Sequence, residues 1–216
     1  MPLKQLIDEY LKSPDIIAKN NWINHTANQP TLLQRLEVAT KSRDASNNLN
    51  SHQERVGDDN LTSFFDEMSQ QDNLNKIDTH ISNKYFDGLY RLLLNSTNKY
   101  RIGPLTAYDI ALRIAHAYKF RPSHIYIHAG TEAGAEALGI LNTIKLNGKD
   151  YFTKEELLAI YPEFEVLECD DIESFLCIYH KKEKQTLEQI SKEYRERLLK
   201  MNKYSKDKPY GHSSIG

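Results

Sequence analysis

Two runs of apolar residues at helical spacing, with a glycine–proline turn between them, constrain this chain more than any other feature. Phe86, Leu89, Tyr90, Leu93 and Leu94 mark one helix face within 85–95; Ala107, Ile110, Ala111, Ile114, Ala115 and Tyr118 mark a second. Residues three and four apart lie on one side of a helix, so each run must bury that side against a partner. The joining residues Arg101-Ile102-Gly103-Pro104 leave room for little besides a hairpin. Gly103 permits a tight turn, and Pro104 pre-sets the first turn of the helix that follows.

The same reading extends to the rest of the chain. Leu3, Leu6, Ile7, Tyr10 and Leu11 predict an amphipathic helix over 2–12. Ser13 reads as the N-cap of a short helix over 16–18, and Leu32, Leu33, Leu36 and Ala39 predict a helix over 31–42. Leu61, Phe64, Phe65 and Met68 predict a helix from Asn60, followed by a polar turn at 70–75. Thr131 reads as the N-cap of an alanine-rich helix whose small residues predict close packing. Thr153 with Glu156 forms a capping-box pattern, and Asp170 with Glu173 repeats that device. The expected class is mainly α, a multi-helical globular fold with at most a minor β element near 125 or at 164–167. The expected organisation is an N-terminal helical region at 1–43, an exposed connection at 44–59, a core at 60–180, a charged helix at 181–201 and a flexible tail at 202–216.

Composition excludes several classes. Hydrophobic residues make up 39% of the 216 and charged ones 27%, which suits a packed core rather than disorder. Two cysteines cannot build a disulfide scaffold. Asp8 and Glu9 interrupt the first apolar pattern, so it reads as neither a secretory nor a transit segment, and no apolar run reaches membrane-spanning length. A cytoplasmic protein without a membrane partner is expected. The net charge of -2 gives the whole chain no attraction for polyanions. Residues 99–128 differ. There Lys99, Arg101, Arg113, Lys119 and Arg121 face Asp109 alone, a net +4 that leaves -6 for the remainder. His116, His124 and His128 add charge at lower pH.

The segment Ile102-Gly103-Pro104-Leu105-Thr106-Ala107 resembles the helix-hairpin-helix motif, in which Gly-hydrophobic-Gly precedes Pro or a basic residue, a variable position, Thr and Ala. Arg101 stands where the first glycine of that motif would be. The resemblance implies a grip on nucleic-acid backbone, DNA before RNA, in which free amides at the helix start meet phosphate. Arg101, Gly103, Thr106, Lys119 and Arg121 would make that contact. Gly130 and Thr131 offer a second anion site for the same dipole reason, with an ordinary cap as the competing explanation.

Residues 60–139 also resemble, distantly, the scaffold of helix-hairpin-helix DNA glycosylases. That family places an aspartate at the start of the helix after the hairpin helix. Its bifunctional members carry a lysine two residues after the second hairpin glycine. Leu105 occupies the lysine's position here, and the aspartate's position falls near Ile127 or His128. No carboxylate lies between Asp109 and Glu132. The expectation is therefore a nucleic-acid-binding protein without the usual glycosylase residues. One alternative is an enzyme on that scaffold with a rearranged site that uses His128 as a base. Another is an interaction module in which 183–201 pairs with a partner or a second copy. Glu132 and Glu136 read as a solvated face. Cys169, Cys177 and His180 lack zinc-site spacing and a fourth ligand, and neither a metal nor a cofactor is expected.

Overall fold

The computed structural model describes residues 2–46, 49, 53, 55–97 and 100–206, with 200–206 described by backbone alone. Helix α1 (Leu3–Tyr10) turns Leu3, Leu6, Ile7 and Tyr10 inward. Ser13 caps α2 (Pro14–Ala27) by accepting the Ile16 amide at 3.4 Å. This helix runs well past the short one expected, because Ile23 and Thr26 continue its buried face. Thr31 caps α3 (Leu32–Lys41), and α4 (Asp58–Met68) buries Leu61, Phe64 and Met68. The polar turn expected at 70–75 is instead the first half of α5 (Gln71–Ser82). Ile77 and Ile81, one turn apart, anchor that helix, and its polar residues form the solvent side. Two residues of the supposed exposed connection, Gln53 and Val56, are buried.

Helices α6 (Phe86–Ser96) and α7 (Pro104–Ala117) are the pair that the apolar pattern predicts. Strand β1 (His124–Tyr126) pairs antiparallel with β2 (Tyr151–Thr153), Ile125 opposite Phe152. Between them lie α8 (Ala129–Ala137) and α9 (Ile140–Thr143). The capping box at Thr153 starts α10 (Lys154–Leu158) as expected. Pro162–Val166 forms a 3-10 turn where a strand was one option. Helix α11 (Cys169–Lys182) leads to α12 (Lys184–Lys206), so residues 202–206 continue a helix, and 207–216 lie outside the described residues. The fold is mainly α with one small sheet among the described residues, none of whose helices is long and apolar enough to cross a membrane.

Two apolar clusters build the core. One gathers α3 to α7; the other gathers α8 to α11 with the first half of α12 and, from the far end of the sequence, α1. Strand β1 joins them through its alternation: Ile125 points into the second cluster and Tyr126 into the first. Tyr126 closes a group of four rings with Phe86, Tyr90 and Tyr108, at centroid separations of 5.0 to 6.5 Å. Tyr10 carries α1 into the second cluster through edge contacts with Phe175 and Tyr179. On α12, Leu187 and Ile190 are buried, whereas Leu198 and Leu199 are exposed.

Small residues on α8 let it lie directly on α11. A Cβ on Gly134 would stand 2.3 Å from the Leu176 carbonyl oxygen, and one on Gly130 would stand 2.4 Å from Cys177 Sγ. A buried charge network fastens the first turn of α11. Asp170, with no exposed surface, meets Lys19 at 2.8 Å, His116 at 3.1 Å and Arg121 at 3.3 Å. Asp171 meets Lys19 at 2.8 Å and Arg121 at 3.2 Å. Helix α11 therefore starts at Cys169 with Glu168 as its N-cap, and the capping device expected at Asp170 and Glu173 does not form. Burial alone would raise the Asp170 carboxyl; the Lys19 ammonium and the His116 hydrogen bond outweigh it and hold the group below its ordinary 3.8.

Three substitutions test this packing. Gly134→Ala should cost about 2–3 kcal/mol through overpacking, although Gly→Ala inside a helix ordinarily gains about 1 kcal/mol. Gly103→Ala, with open space around it and φ -85°, should stay within about 0.5 kcal/mol of the parent in urea denaturation. Asp170→Asn should cost about 3 kcal/mol, because Lys19, His116 and Arg121 lose the buried carboxylate they share and only Asp171 remains to pair with Lys19 and Arg121. A depressed carboxyl contributes stability above its unfolded value and loses it as pH falls through the folded one. The deficit of Asp170→Asn should hence be flat at neutral pH and narrow only below 3.8, read from unfolding midpoints across an acid series.

Candidate functional site

The residues named from the hairpin pattern separate into two groups along α7. Gly103 is the exposed N-cap of that helix, with no side chain capping its amides. Arg101 is exposed and has φ +55°, so the residue standing at the motif's first glycine adopts the left-handed conformation that glycine favours. Thr106 is buried within the first turn rather than presented to solvent. Lys119, exposed with φ +61°, lies beyond the opposite end of α7, about 20 Å away at 1.5 Å per residue. Arg121 is on that far side too, paired with Asp170 and Asp171. Arg113 is buried, donating to the Ala39 carbonyl at 2.9 Å and to Ser42 Oγ at 2.6 Å. Lys99 lies outside the described residues.

Gly130 and Thr131 also sit differently from expectation. His128 is the N-cap of α8, so Thr131 is inside the helix and fully buried. Its hydroxyl donates to Glu173 Oε1 at 3.1 Å. A side chain committed to a carboxylate is a poor partner for an anion, and Gly130 serves packing against Cys177.

What the fold does assemble is a cavity of about 410 Å³ between α2, α7 and α11. Lys19 and Trp22 reach it from α2, Leu105 and Asp109 from α7, and Glu173 and Cys177 from α11. Asp109 accepts from Gln53 Nε2 at 2.9 Å. Glu173 is held on three sides: His128 Nε2 lies 2.6 Å from Oε1, Thr131 donates to the same oxygen, and Ser174 Oγ donates to Oε2 at 3.2 Å. Burial would lower the His128 imidazole, but the Glu173 carboxylate and its hydrogen bond win and hold it above its ordinary 6.5. Burial first, then the charge of Glu173, pushes the Cys177 thiol up to about 12, so it is no thiolate nucleophile in this setting.

Among the described residues, His128, Glu173 and Cys177 are the group whose donor atoms could hold a metal ion, all within 4.8 Å of one another. The trio weighed from sequence, Cys169, Cys177 and His180, is not that group. His128 was already a candidate, and it stands at the start of a helix directly behind Glu173. Lys19, Asp109 and Glu173 were missed as site residues. Two faint signals pointed to them. Asp109 is the lone acid in the basic segment, and Glu173 and Cys177 share a helix face at i, i+4. Lys19 gave none, since only the docking of α2 brings it to this cavity. Comparison with family models, curated proteins and solved structures returns no match for the chain.

Proposed function

We propose that the protein binds nucleic acid by its backbone at the turn opening α7, and that the cavity behind this turn receives a nucleotide drawn from the strand. The observation that supports it is the double use of one helix. The uncapped amides beside Gly103 and the guanidinium of Arg101 lie at the solvent-facing start of α7, and Leu105, two residues on, already lines the cavity. A phosphate held at the helix start would have its nucleotide next to the cavity mouth. The volume of about 410 Å³ is within the range of small-ligand sites. Lys119, about 20 Å along α7, would meet duplex backbone roughly six base pairs away.

Arg101→Gly separates charge from geometry, because glycine adopts φ +55° freely. Fluorescence anisotropy with single- and double-stranded oligonucleotides should show affinity falling steeply with salt. The variant should bind roughly tenfold more weakly and reduce the salt slope by about one. Absent binding, or binding indifferent to salt, overturns the proposal.

A second reading is an enzyme on a glycosylase-like scaffold with a rearranged site, and Glu173 is the observation that favours it. Leu105 excludes a Schiff base at the lysine's position, while Glu173 brings a fixed carboxylate to the same cavity from α11. On damaged or abasic duplexes, Glu173→Gln should lose base release at least ~100-fold, with Arg101→Gly weakening substrate binding instead. No release on any such duplex, or release untouched by Glu173→Gln, removes this reading.

A further inference from the structure

We propose that His128, Glu173 and Cys177 form a binding site for a divalent metal ion, with zinc the best match to the donor set. One imidazole nitrogen, one carboxylate oxygen and one sulfur are a combination that zinc accepts at about 2.0–2.3 Å. Magnesium and calcium, which prefer an all-oxygen shell, do not suit it. Donor atoms around a tetrahedral ion at those lengths stand about 3.3–3.8 Å apart. The three here already lie within 4.8 Å of one another, His128 and Glu173 being the closest at 2.6 Å. Seating the ion asks only that this pair open by about 1 Å while Cys177 Sγ moves in.

The backbone holds the site in place. Glu173 and Cys177 are one turn apart on α11 and project from one face, and His128 is the N-cap of α8. The absent Cβ of Gly130 leaves the space that Cys177 Sγ occupies, and Gly134 fixes the helix separation against the Leu176 carbonyl. Supporting groups are present as well. Thr131 Oγ1 stands beside the His128 ring, 3.3 Å from Nδ1 and 3.4 Å from Nε2, while Ser174 orients the second carboxylate oxygen. Coordination replaces the proton between His128 and Glu173 and the thiol proton of Cys177. Three protein ligands leave a fourth position, and Glu173 and Cys177 both line the cavity, so that position opens toward it. This is the arrangement of a reactive ion rather than a sealed structural one. Asp109, on the wall of the same cavity, would be a candidate to take the proton of a water bound to such an ion.

The test uses the full chain, stripped with a chelator and titrated with Co²⁺ and, in competition with a chromophoric chelator, with Zn²⁺. One equivalent of Co²⁺ should give intense tetrahedral d–d bands and a near-ultraviolet sulfur-to-metal band. Cys177→Ser, close to isosteric, should abolish the sulfur band, and Cys169→Ser should retain it. His128→Gln should weaken Zn²⁺ roughly 100-fold or more, and Thr131→Val about tenfold. Circular dichroism confirms that each variant is folded. A folded parent that takes up no Co²⁺, or a sulfur band that survives Cys177→Ser, overturns the proposal. The readout needs no nucleic acid, so its failure is distinct from failure of the backbone-binding reading.

Discussion

Helices α8 and α11 lie backbone against backbone, and the cluster of His128, Thr131, Glu173 and Cys177 depends on that approach. Gly134 leaves the Leu176 carbonyl room that any Cβ would take, and Gly130 does the same for Cys177 Sγ. At that separation His128, the last residue before α8, meets Glu173 in the second turn of α11. A helix pair at ordinary spacing would hold the imidazole and the carboxylate apart, and each would then need another buried partner. The pair is thus a result of close packing as much as of charge.

Helix α7 ties this contact to the other half of the molecule. Tyr108 belongs to the four-ring group with Phe86, Tyr90 and Tyr126, and its ring also lies 5.6 Å from that of His128. Arg113 reaches the carbonyl end of α3, where a buried guanidinium satisfies backbone groups that the helix end leaves over. His116, on the last turn of α7, reaches Asp170 in the first turn of α11, with Lys19 of α2 on the same carboxylate. The cavity lies where these three helices meet. Its charged and apolar lining side chains stand on helices whose positions the two apolar clusters fix, which is the condition for a preorganised site.

Local signals located most helices because they depend on neighbours in sequence. The apolar faces of α1, α4, α6 and α7 were readable at their 3.6-residue period, as were the caps at Ser13 and Thr153. Helix α5 was missed because its first turns are polar and only Ile77 and Ile81 are buried. Asp170 and Glu173 matched a capping box in spacing, yet both were drawn away by distant partners: one by Lys19, His116 and Arg121, the other by His128 and Thr131. Thr131 went the same way, from apparent cap to buried donor. A polar side chain near a helix start satisfies the backbone only when no stronger buried charge competes for it.

The sequence by itself determined the helical class, the apolar faces along which α6 and α7 pack, the close approach implied by the small residues of α8, and His128 as a residue of interest. Each rests on a periodicity or a turn chemistry spanning a few residues. The tertiary structure decided that the basic residues divide between the two ends of α7, that α1 packs with the C-terminal half, and that Lys19, Asp109, His128, Glu173 and Cys177 surround or support one cavity. Those residues are spread from position 19 to position 177. No local pattern fixes such distances, since they arise only when burial of the two apolar clusters brings α2, α7, α8 and α11 together.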